Sequence, residues 1–284
     1  METLTDDLRR LIGQALAEDV GAGDWTTRWC VASTATAEAA IVAKAEGVIA
    51  GLEAAAEVFR QLGEVKFQAR LADGDGAEPG TTVASLEGSA RSILTGERTA
   101  LNLLGRLSGV ATLTRRFVAA VAGTGARITD TRKTTPLWRE LERAATRAGG
   151  AVNHRRGLDA MVLIKENHLT CAGGISAAVQ LVRRANDRGL RVEVETTDLE
   201  EVREALKAGV DRIMLDNMPL EMVERAVALI GARPSPPEIE VSGGVRLETV
   251  RAMAAAGVDY ISVGALTHSA PALDLSLQIV KALQ

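Results

Sequence analysis

Six short apolar segments in the second half of the sequence each run into polar, charged or small residues. The segments span residues 127–130, 161–165, 191–195, 212–216, 239–243 and 260–264. The residues at or just beyond their ends are Thr131, Arg132, Lys133, Lys165, Glu195, Asp216, Ser242, Gly243, Gly244, Gly264 and Ala265. Arginine suits two-point contacts with carboxylate or phosphate groups, and lysine acts as a point charge. This set of segment ends predicts a site for a small, highly charged anion.

The positive charge of the sequence is concentrated around these ends. Residues 127–165 hold nine Lys or Arg and four Asp or Glu, a net charge of +5 in a chain whose net charge is −4. Arg132, Lys133, His154, Arg155 and Lys165 all belong to this stretch. We therefore expect these five side chains to bind a ligand that carries several negative groups.

All three histidines of the chain, His154, His168 and His268, lie beside the same segments. We expect His154 to donate a hydrogen bond to an anion. A metal-ligand role fits the histidines less well, because they lack the spacing of a metal-binding motif.

Glu195 and Asp216 end consecutive segments. Two carboxylates beside a phosphate-binding site fit Mg²⁺, which takes one or two protein carboxylates together with substrate oxygens. A general-base role for either residue stays open. The small residues at 242–244 and 264–265 predict a phosphate site, since backbone N–H groups approach phosphate there and late barrel strands are a frequent phosphate position.

The segments alternate with stretches of helical pattern, which is typical of parallel strands covered by helices on both faces. Six or seven such units predict a closed or nearly closed α/β barrel. The missing G-x-G-x-x-G after the first strand argues against a doubly wound sheet. In a barrel the carboxyl ends of the strands share the face that carries the active site.

The first 125 residues follow a mixed α+β pattern instead. Leucines at helical spacing predict an opening helix. The other predicted elements are strands near 40–44, 65–71 and 82–86, a hairpin turn at 73–76, and helices at 52–62 and 90–122, the last interrupted at Gly105 and Gly109. Proline predicts helix starts at Pro136, Pro219 and Pro271.

Composition excludes several classes of protein. Aromatic residues make up 2% of the chain, too few for a surface that stacks nucleic-acid bases, and the negative net charge disfavours an extended polyanion surface. Two cysteines, Cys30 and Cys171, cannot form a disulfide framework. No uncharged apolar run is long enough to span a bilayer. We expect a cytoplasmic protein that contacts neither nucleic acid nor membrane.

Taken in order, the motifs resemble the quinolinate phosphoribosyltransferase family, the decarboxylating enzymes of NAD synthesis. The matching motifs are Glu18-Asp19-Val20-Gly21, Glu97-Arg98-Thr99-Ala100-Leu101-Asn102, Thr131-Arg132-Lys133-Thr134, Asn153-His154-Arg155, Lys165-Glu166-Asn167-His168, Glu193-Val194-Glu195, Leu215-Asp216-Asn217, Ser242-Gly243-Gly244 and Gly264-Ala265-Leu266-Thr267-His268-Ser269. They span nearly the whole chain. One departure follows Pro136, where the family usually has glycine and this chain has Leu137.

The resemblance implies an α/β protein with an N-terminal α+β sandwich domain and a C-terminal open, incomplete α/β barrel. The sandwich would comprise residues 1–112, joined by the returning segment 271–284, and the barrel residues 113–270. Members of the family form homodimers, some of them hexamers, in which the N-terminal domain closes the partner's barrel. Arg98 would then reach the site of the partner subunit.

The resemblance also implies a reaction, in which quinolinate and phosphoribosyl pyrophosphate give nicotinate mononucleotide, pyrophosphate and carbon dioxide. Arg98, Arg132, His154 and Arg155 would hold the two ring carboxylates, and Thr131 and His268 would also contact substrate. Lys133 and Lys165 would lie between the charges of the two substrates. Glu195 and Asp216 would orient Mg²⁺ and the ribose hydroxyls, and the backbone at 242–244 and 264–265 would hold the 5-phosphate.

Three other functions remain as alternatives. The first is the molybdenum-transport-associated paralogue of the family, which the intact motifs at 153–155 and 165–168 disfavour. The second is nicotinate phosphoribosyltransferase, whose ring substrate carries one carboxylate and needs fewer basic residues. The third is a non-catalytic barrel that binds a phosphorylated metabolite, which the presence of both Glu195 and Asp216 disfavours.

Overall fold

Helices and strands alternate along the chain in the computed structural model, which describes residues 4–283. The first part holds α1 (Asp6–Val20), α2 (Trp25–Cys30), β1 (Thr36–Ala43), β2 (Gly47–Val48), α3 (Leu52–Leu62), β3 (Val65–Ala69), β4 (Gly76–Ala77), β5 (Thr82–Ser89) and α4 (Ala90–Ala120). The second part holds β6 (Arg127–Thr129), α5 (Arg139–Ala148), β7 (Val162–Ile164), α6 (Glu166–Ala172), α7 (Ile175–Ala185), β8 (Val192–Thr196), α8 (Leu199–Ala208), β9 (Arg212–Asp216), α9 (Leu220–Gly231), β10 (Glu238–Ser242), α10 (Leu247–Ala255), β11 (Tyr260–Ser262), α11 (Ala265–His268) and β12 (Leu275–Leu283).

The first of two compact units consists of residues 4–115, 134–150 and 266–283. Its four-stranded antiparallel sheet has the order β12-β1-β5-β3. One face of this sheet and helices α3 and α4 enclose a core whose fully buried members include Ile41, Phe59 and Leu104. The resemblance implied that residues 271–284 return to the first domain, and β12 pairs with β1 along its whole length.

The composition of this unit differs from the predicted boundaries of 1–112 with 271–284. Residues Thr134–Gly150, which the sequence analysis assigned to the barrel, group with the first unit. Within that unit, Glu142 is fully buried and accepts hydrogen bonds from the backbone N–H and the hydroxyl of Thr135. Arg106 on α4 also donates to Glu142, at 3.1 Å, so helix α5 is fixed to α4 by a buried ion pair.

Helix α4 runs unbroken for 31 residues, so the predicted interruption at Gly105 and Gly109 is wrong. These glycines instead allow another backbone segment to pack closely against the helix. A Cβ at Gly109 would lie 1.9 Å from the carbonyl oxygen of Pro271, and one at Gly105 would lie 3.0 Å from that of Leu273. The packing of the segment before β12 against α4 outweighs the low helix propensity of glycine.

Of the three helix starts predicted at prolines, the one at Pro219 is confirmed, because Pro219 immediately precedes α9. The other two need correction. Pro271 begins no helix, because the chain continues in non-helical conformation to β12. After Pro136, helix α5 begins only at Arg139, and Leu137 adopts a left-handed φ of 67°. The family's glycine at this position fits that conformation, whereas leucine is strained in it.

The second unit consists of residues 116–133 and 151–265 and contains a six-stranded parallel sheet. All six predicted strands are present, in the order β6-β11-β10-β9-β8-β7. Strands β8, β9 and β10 are buried on both faces, which explains the Val, Ile, Leu and Met residues that they contain. Since β6 and β7 lie at opposite ends of the order, the barrel is open between them. Val152 forms a single parallel bridge with Thr129 at that opening.

Within residues 4–283, none of the helices combines the length and the apolar character needed to cross a bilayer.

Candidate active site

The carboxyl ends of the six barrel strands carry most of the predicted site residues. Parallel strands place these ends at one edge of the sheet. The second unit alone supplies Thr131, Arg132, Lys133, His154, Arg155, Lys165, Glu195, Asp216, Ser242, Gly243, Gly244, Gly264 and Ala265. They divide into a basic group, an acidic group and a glycine-rich group.

The basic group follows β6 and the Val152 bridge. Arg132 and Lys133 are exposed, and Arg155 is half-buried. The guanidinium of Arg155 donates to the carbonyl oxygen of Met161 at 3.0 Å. Burial lowers the pKa of Arg155, and the nearby positive charge of Arg132 lowers it further. Two guanidiniums close enough to repel each other favour the binding of an anion between them.

Buried polar contacts hold the two loops of this group together. Asp130 is fully buried at the end of β6. One of its carboxylate oxygens accepts from the side-chain amide of Asn153 at 2.7 Å, and the other accepts from the backbone N–H of His154 at 2.6 Å. The residues that follow Asp130 and those that follow Asn153 are therefore fixed relative to one another.

His154 lies beneath the basic group with 6% of its side chain exposed. Its Nε2 lies 3.3 Å from a carboxylate oxygen of Glu193 and 3.3 Å from one of Glu240, and its Nδ1 accepts from the backbone N–H of Arg155 at 2.7 Å. Burial opposes a charged ring and the two carboxylates favour one, but an Nδ1 that accepts from a backbone N–H carries no proton, so the geometry assigns the neutral tautomer with its proton on Nε2. Since both ring nitrogens face protein atoms, the expected hydrogen bond from His154 to a ligand stays a prediction.

The acidic group lies at the ends of β8 and β9, which are neighbours in the sheet. Glu195 accepts from the Lys165 ammonium at 2.5 Å, and Asp216 accepts from the side-chain amide of Asn217 at 2.6 Å. Each contact uses one carboxylate oxygen and leaves the second as a potential ligand. Mg²⁺ prefers oxygen ligands and takes one or two protein carboxylates, so Glu195 and Asp216 fit the expected metal.

The glycine-rich group follows β10 and lies against Asn217. Gly243 and Gly244 have φ angles of 90° and 59°, and Asn217 has a φ of 53°. A Cβ at Gly243 would lie 2.2 Å from the side-chain oxygen of Asn217. Glycine is thus required at Gly243 for conformation and for contact, and the turn exposes the backbone of Gly244.

Two predicted residues belong to the first unit. Arg98 is exposed on α4, and His268 is exposed at the end of α11, where its Nδ1 lies 2.6 Å from the hydroxyl of Ser269. Their expected contacts with substrate stay predictions. His168, which the sequence analysis noted beside the site, caps α6 by accepting from the backbone N–H of Lys165 at 2.9 Å.

Asp130, Asn153, Glu193 and Glu240 also belong to this region, although none was predicted as a site residue and only Asn153 and Glu193 appeared in the sequence motifs. The sequence feature that could have identified them is a carboxylate or amide side chain at a position where a buried strand, or its end, is expected to be apolar. Glu193 and Glu240 show it most clearly, because each occupies a fully buried position of a central strand. Such a residue is rarely tolerated without a partner.

Basic, acidic and glycine-rich groups at the strand ends of an open parallel barrel define an anion-binding α/β-barrel protein. Comparison with known proteins identifies the family within this class. Sequence profiles of the quinolinate phosphoribosyl transferase N-terminal and C-terminal domains match residues 24–108 and 110–278. The chain belongs to the quinolinate phosphoribosyl transferase family.

Individual relatives agree with this assignment. The chain is 48% identical to a probable nicotinate-nucleotide pyrophosphorylase [carboxylating] of Synechocystis sp., over 94% of this chain and 91% of the relative. It is 42% identical to quinolinate phosphoribosyltransferase [decarboxylating] 1b of Nicotiana tabacum, over 97% and 83%. The crystal structure of NadC from Streptococcus pyogenes superposes with a TM-score of 0.94 at 39% identity, over 100% of both chains.

A more distant likeness shows the fold alone. Human nicotinic acid phosphoribosyltransferase superposes with a TM-score of 0.64 at 16% identity, over 99% of this chain and 75% of that one.

Proposed function

We propose that this protein transfers the phosphoribosyl group of phosphoribosyl pyrophosphate to quinolinate, with loss of carbon dioxide, to give nicotinate mononucleotide and pyrophosphate. The observation that carries the proposal is that Lys165 contacts Glu195 of the acidic group at the sheet edge that also holds Arg132 and Arg155 of the basic group. Quinolinate is a dicarboxylate and needs the basic group, and a phosphorylated sugar with its metal needs the acidic group. Relatives named for this activity support it.

The basic group holds the ring. Arg132 and Arg155 bind the two ring carboxylates through charge-assisted hydrogen bonds, Thr131 adds a further contact, and His154 supports them by holding the backbone of Arg155. Lys133 and Lys165 lie between the ring and the phosphates and offset the repulsion between two anions. Because the ring is held through its carboxylates, the site needs no aromatic platform.

The acidic and glycine-rich groups hold the sugar. Glu195 and Asp216 bind Mg²⁺ and the ribose hydroxyls, and the backbone at 242–244 and 264–265 holds the 5-phosphate. When bound, Mg²⁺ offsets the negative charge that develops on the departing pyrophosphate. The Lys165 ammonium, fixed by Glu195, places a second positive charge at this point.

The reaction depends on alignment and charge and requires no covalent nucleophile. The pyridine nitrogen bonds to the anomeric carbon while the bond from that carbon to the pyrophosphate oxygen breaks. The ring carbon beside the nitrogen then loses its carboxylate as carbon dioxide and gains a proton. Fixed charges on both sides of the anomeric carbon stabilise the cation-like transition state and hold the two substrates in line.

We further propose that the protein acts as a homodimer, with hexamers as a higher assembly, and that Arg98 completes the site of the partner subunit. The exposure of Arg98 on α4 supports this role. Size-exclusion chromatography with light scattering tests it, and a monomer with full activity would contradict it. The cytoplasmic location expected from the sequence stays a prediction.

One assay separates this function from its alternatives. The protein is incubated with phosphoribosyl pyrophosphate, Mg²⁺ and either quinolinate or nicotinate, and nucleotide and carbon dioxide are measured. We expect both products from quinolinate, in equal amounts. Nucleotide from nicotinate alone would contradict the proposal and favour nicotinate phosphoribosyltransferase. Product from neither ring would favour the molybdenum-associated paralogue or a non-catalytic barrel.

A further inference from the structure

A buried polar network lies inside the barrel below the basic group. Its centre is the contact of His154 with Glu193 and Glu240, whose side chains are fully buried. Glu240 also accepts from Arg212 at 2.8 Å and from the hydroxyl of Ser262. Glu240 lies in the middle of β10 and Arg212 at the amino end of β9, away from the substrate edge, and Ser262, the last residue of β11, is only 4% exposed.

The network connects most of the barrel. It joins β8 through Glu193, β9 through Arg212, β10 through Glu240 and β11 through Ser262. His154 connects these strands to the loop after β6, because its backbone N–H donates to Asp130. The loops that carry Arg132 and Arg155 are therefore fixed to the barrel interior through one imidazole ring.

The same three side chains, His154, Glu193 and Glu240, have ligand atoms within 4.8 Å of one another, a separation that also suits a metal ion. Arg212 argues against that occupant. Its guanidinium donates to the very oxygen of Glu240 that faces His154. A positive charge already bound to this oxygen repels a second cation.

We propose that Glu193 and Glu240 are positioning residues for the ring-binding half of the site and act through His154. The two carboxylates orient the ring by its Nε2, so that Nδ1 meets the backbone N–H of Arg155. This contact fixes the peptide from which the Arg155 guanidinium extends. The inference rests on the proposed function, since it assigns Arg155 to the ring carboxylates.

Removal of one carboxylate charge should thus affect the ring substrate and spare the sugar substrate. For Glu240→Gln we expect the KM for quinolinate to rise about tenfold, the factor that corresponds to one weakened charge-assisted hydrogen bond. The KM for phosphoribosyl pyrophosphate should stay within about twofold, because Glu195 and Asp216 keep their contacts. Glu57→Gln is the matched control, since Glu57 is buried and paired with Arg60 but belongs to the first unit.

A double-mutant cycle tests whether the effect passes through His154. If it does, Glu240→Gln combined with His154→Ala raises the KM for quinolinate no further than His154→Ala alone. Independent, multiplying effects would overturn the proposal, as would a Glu240→Gln enzyme with unchanged KM for quinolinate or with equal losses for both substrates.

A milder variant covers the case in which Glu240→Gln does not fold. Ser262→Ala removes one hydrogen bond to Glu240 and keeps every charge. We expect a rise of about threefold in the KM for quinolinate alone, as for one neutral hydrogen bond, and an unchanged value would count against the network. Wild-type protein that forms no nucleotide from quinolinate would overturn both this inference and the proposed function. Normal wild-type turnover with unaffected variants would overturn the inference alone.

Discussion

At the scale of single residues, the site depends on close contacts as much as on charges. Gly243 shows this best, since its left-handed backbone and its contact with Asn217 both exclude a side chain. Asn217 in turn donates to Asp216, so the glycine-rich and acidic groups are in direct contact. A side chain at position 243 should therefore displace Asn217 and disturb the residues proposed to bind the sugar and its metal.

For Gly243→Ala we expect kcat/KM for phosphoribosyl pyrophosphate to fall about tenfold or more, because a left-handed alanine costs about 1–2 kcal/mol before its contact with Asn217 is counted. Steady-state kinetics measure the loss. Gly189→Ala is the control, since Gly189 has a φ of 63° with no atom near its Cβ position. Equal activities of the two variants would show that the Asn217 contact is unimportant.

The residues at the strand ends could be predicted from the sequence, whereas those inside the barrel could not. Glu195 and Asp216 end mostly aliphatic segments, so their place at a common edge follows from the strand pattern alone. The contact of His154 with Glu240 joins residues 86 positions apart and depends on how the barrel curves. No local pattern contains that information, and the pairing became visible only in three dimensions.

At the scale of helices and strands, packing overrides local preference along α4. The sequence predicts a break in α4 at its glycines, yet the helix continues because Pro271 and Leu273 lie where side chains would be. Leu137 is the opposite case, a side chain in a conformation that suits glycine. The six barrel strands, by contrast, were predicted correctly, since burial on both faces makes them mostly aliphatic, apart from the buried Glu193 and Glu240.

For Gly109→Ala we expect the free energy of unfolding to fall by about 1–3 kcal/mol, the usual cost of forcing atoms into a packed interior. Denaturant unfolding followed by circular dichroism measures it. Gly231→Ala is the control, because Gly231 is also helical and its Cβ position is open. A stabilised Gly109→Ala variant would contradict the contact between α4 and Pro271.

Leu137→Gly should increase the free energy of unfolding by about 1 kcal/mol, because glycine removes the left-handed strain at a small entropic cost. The midpoint of thermal unfolding would rise by about 2–4 °C. Leu158→Gly, at a residue that is similarly exposed but outside the left-handed region, should not stabilise the protein. A lower free energy of unfolding for Leu137→Gly would mean that the leucine side chain makes a contact that stabilises the protein by more than the backbone strain costs.

At the scale of the whole molecule, negative net charge and an anion site coexist because charge is distributed unevenly. The stretch 127–165 carries +5 within a chain of −4. Acidic residues elsewhere are compensated locally, as in the contacts of Glu238 with Arg191 and Arg212 in the barrel. Net charge excluded an extended polyanion surface, but it did not exclude a compact site.

These compensated carboxylates predict the response to acid. Burial opposes ionisation of Glu238, but hydrogen bonds from Arg212 and Arg191 outweigh it and lower its pKa. A lowered pKa in the folded protein means that its stabilisation is present above the unfolded value of about 4.3 and is lost as the pH falls through the folded value. We expect the free energy of unfolding to decrease below about pH 4.5.

Glu238→Gln should show a smaller decrease over that range, since it has no carboxylate to protonate. Denaturant unfolding at pH 7, 5, 4 and 3 measures the difference. Glu224→Gln, which changes an exposed carboxylate on α9, is the matched control. Parallel curves for wild type and Glu238→Gln would contradict a stabilising role for this ion pair.

The pairing of β12 with β1 has a consequence for synthesis on the ribosome. Residues Leu275–Leu283 complete a sheet whose first strand begins at Thr36. Every strand of the parallel sheet is translated between these two events, so the barrel can form while the edge of β1 is still open. The sheet that contains β1 is therefore completed only after the barrel strands have been made, and a nascent chain exposes an unpaired edge of β1 until Leu275–Leu283 emerge.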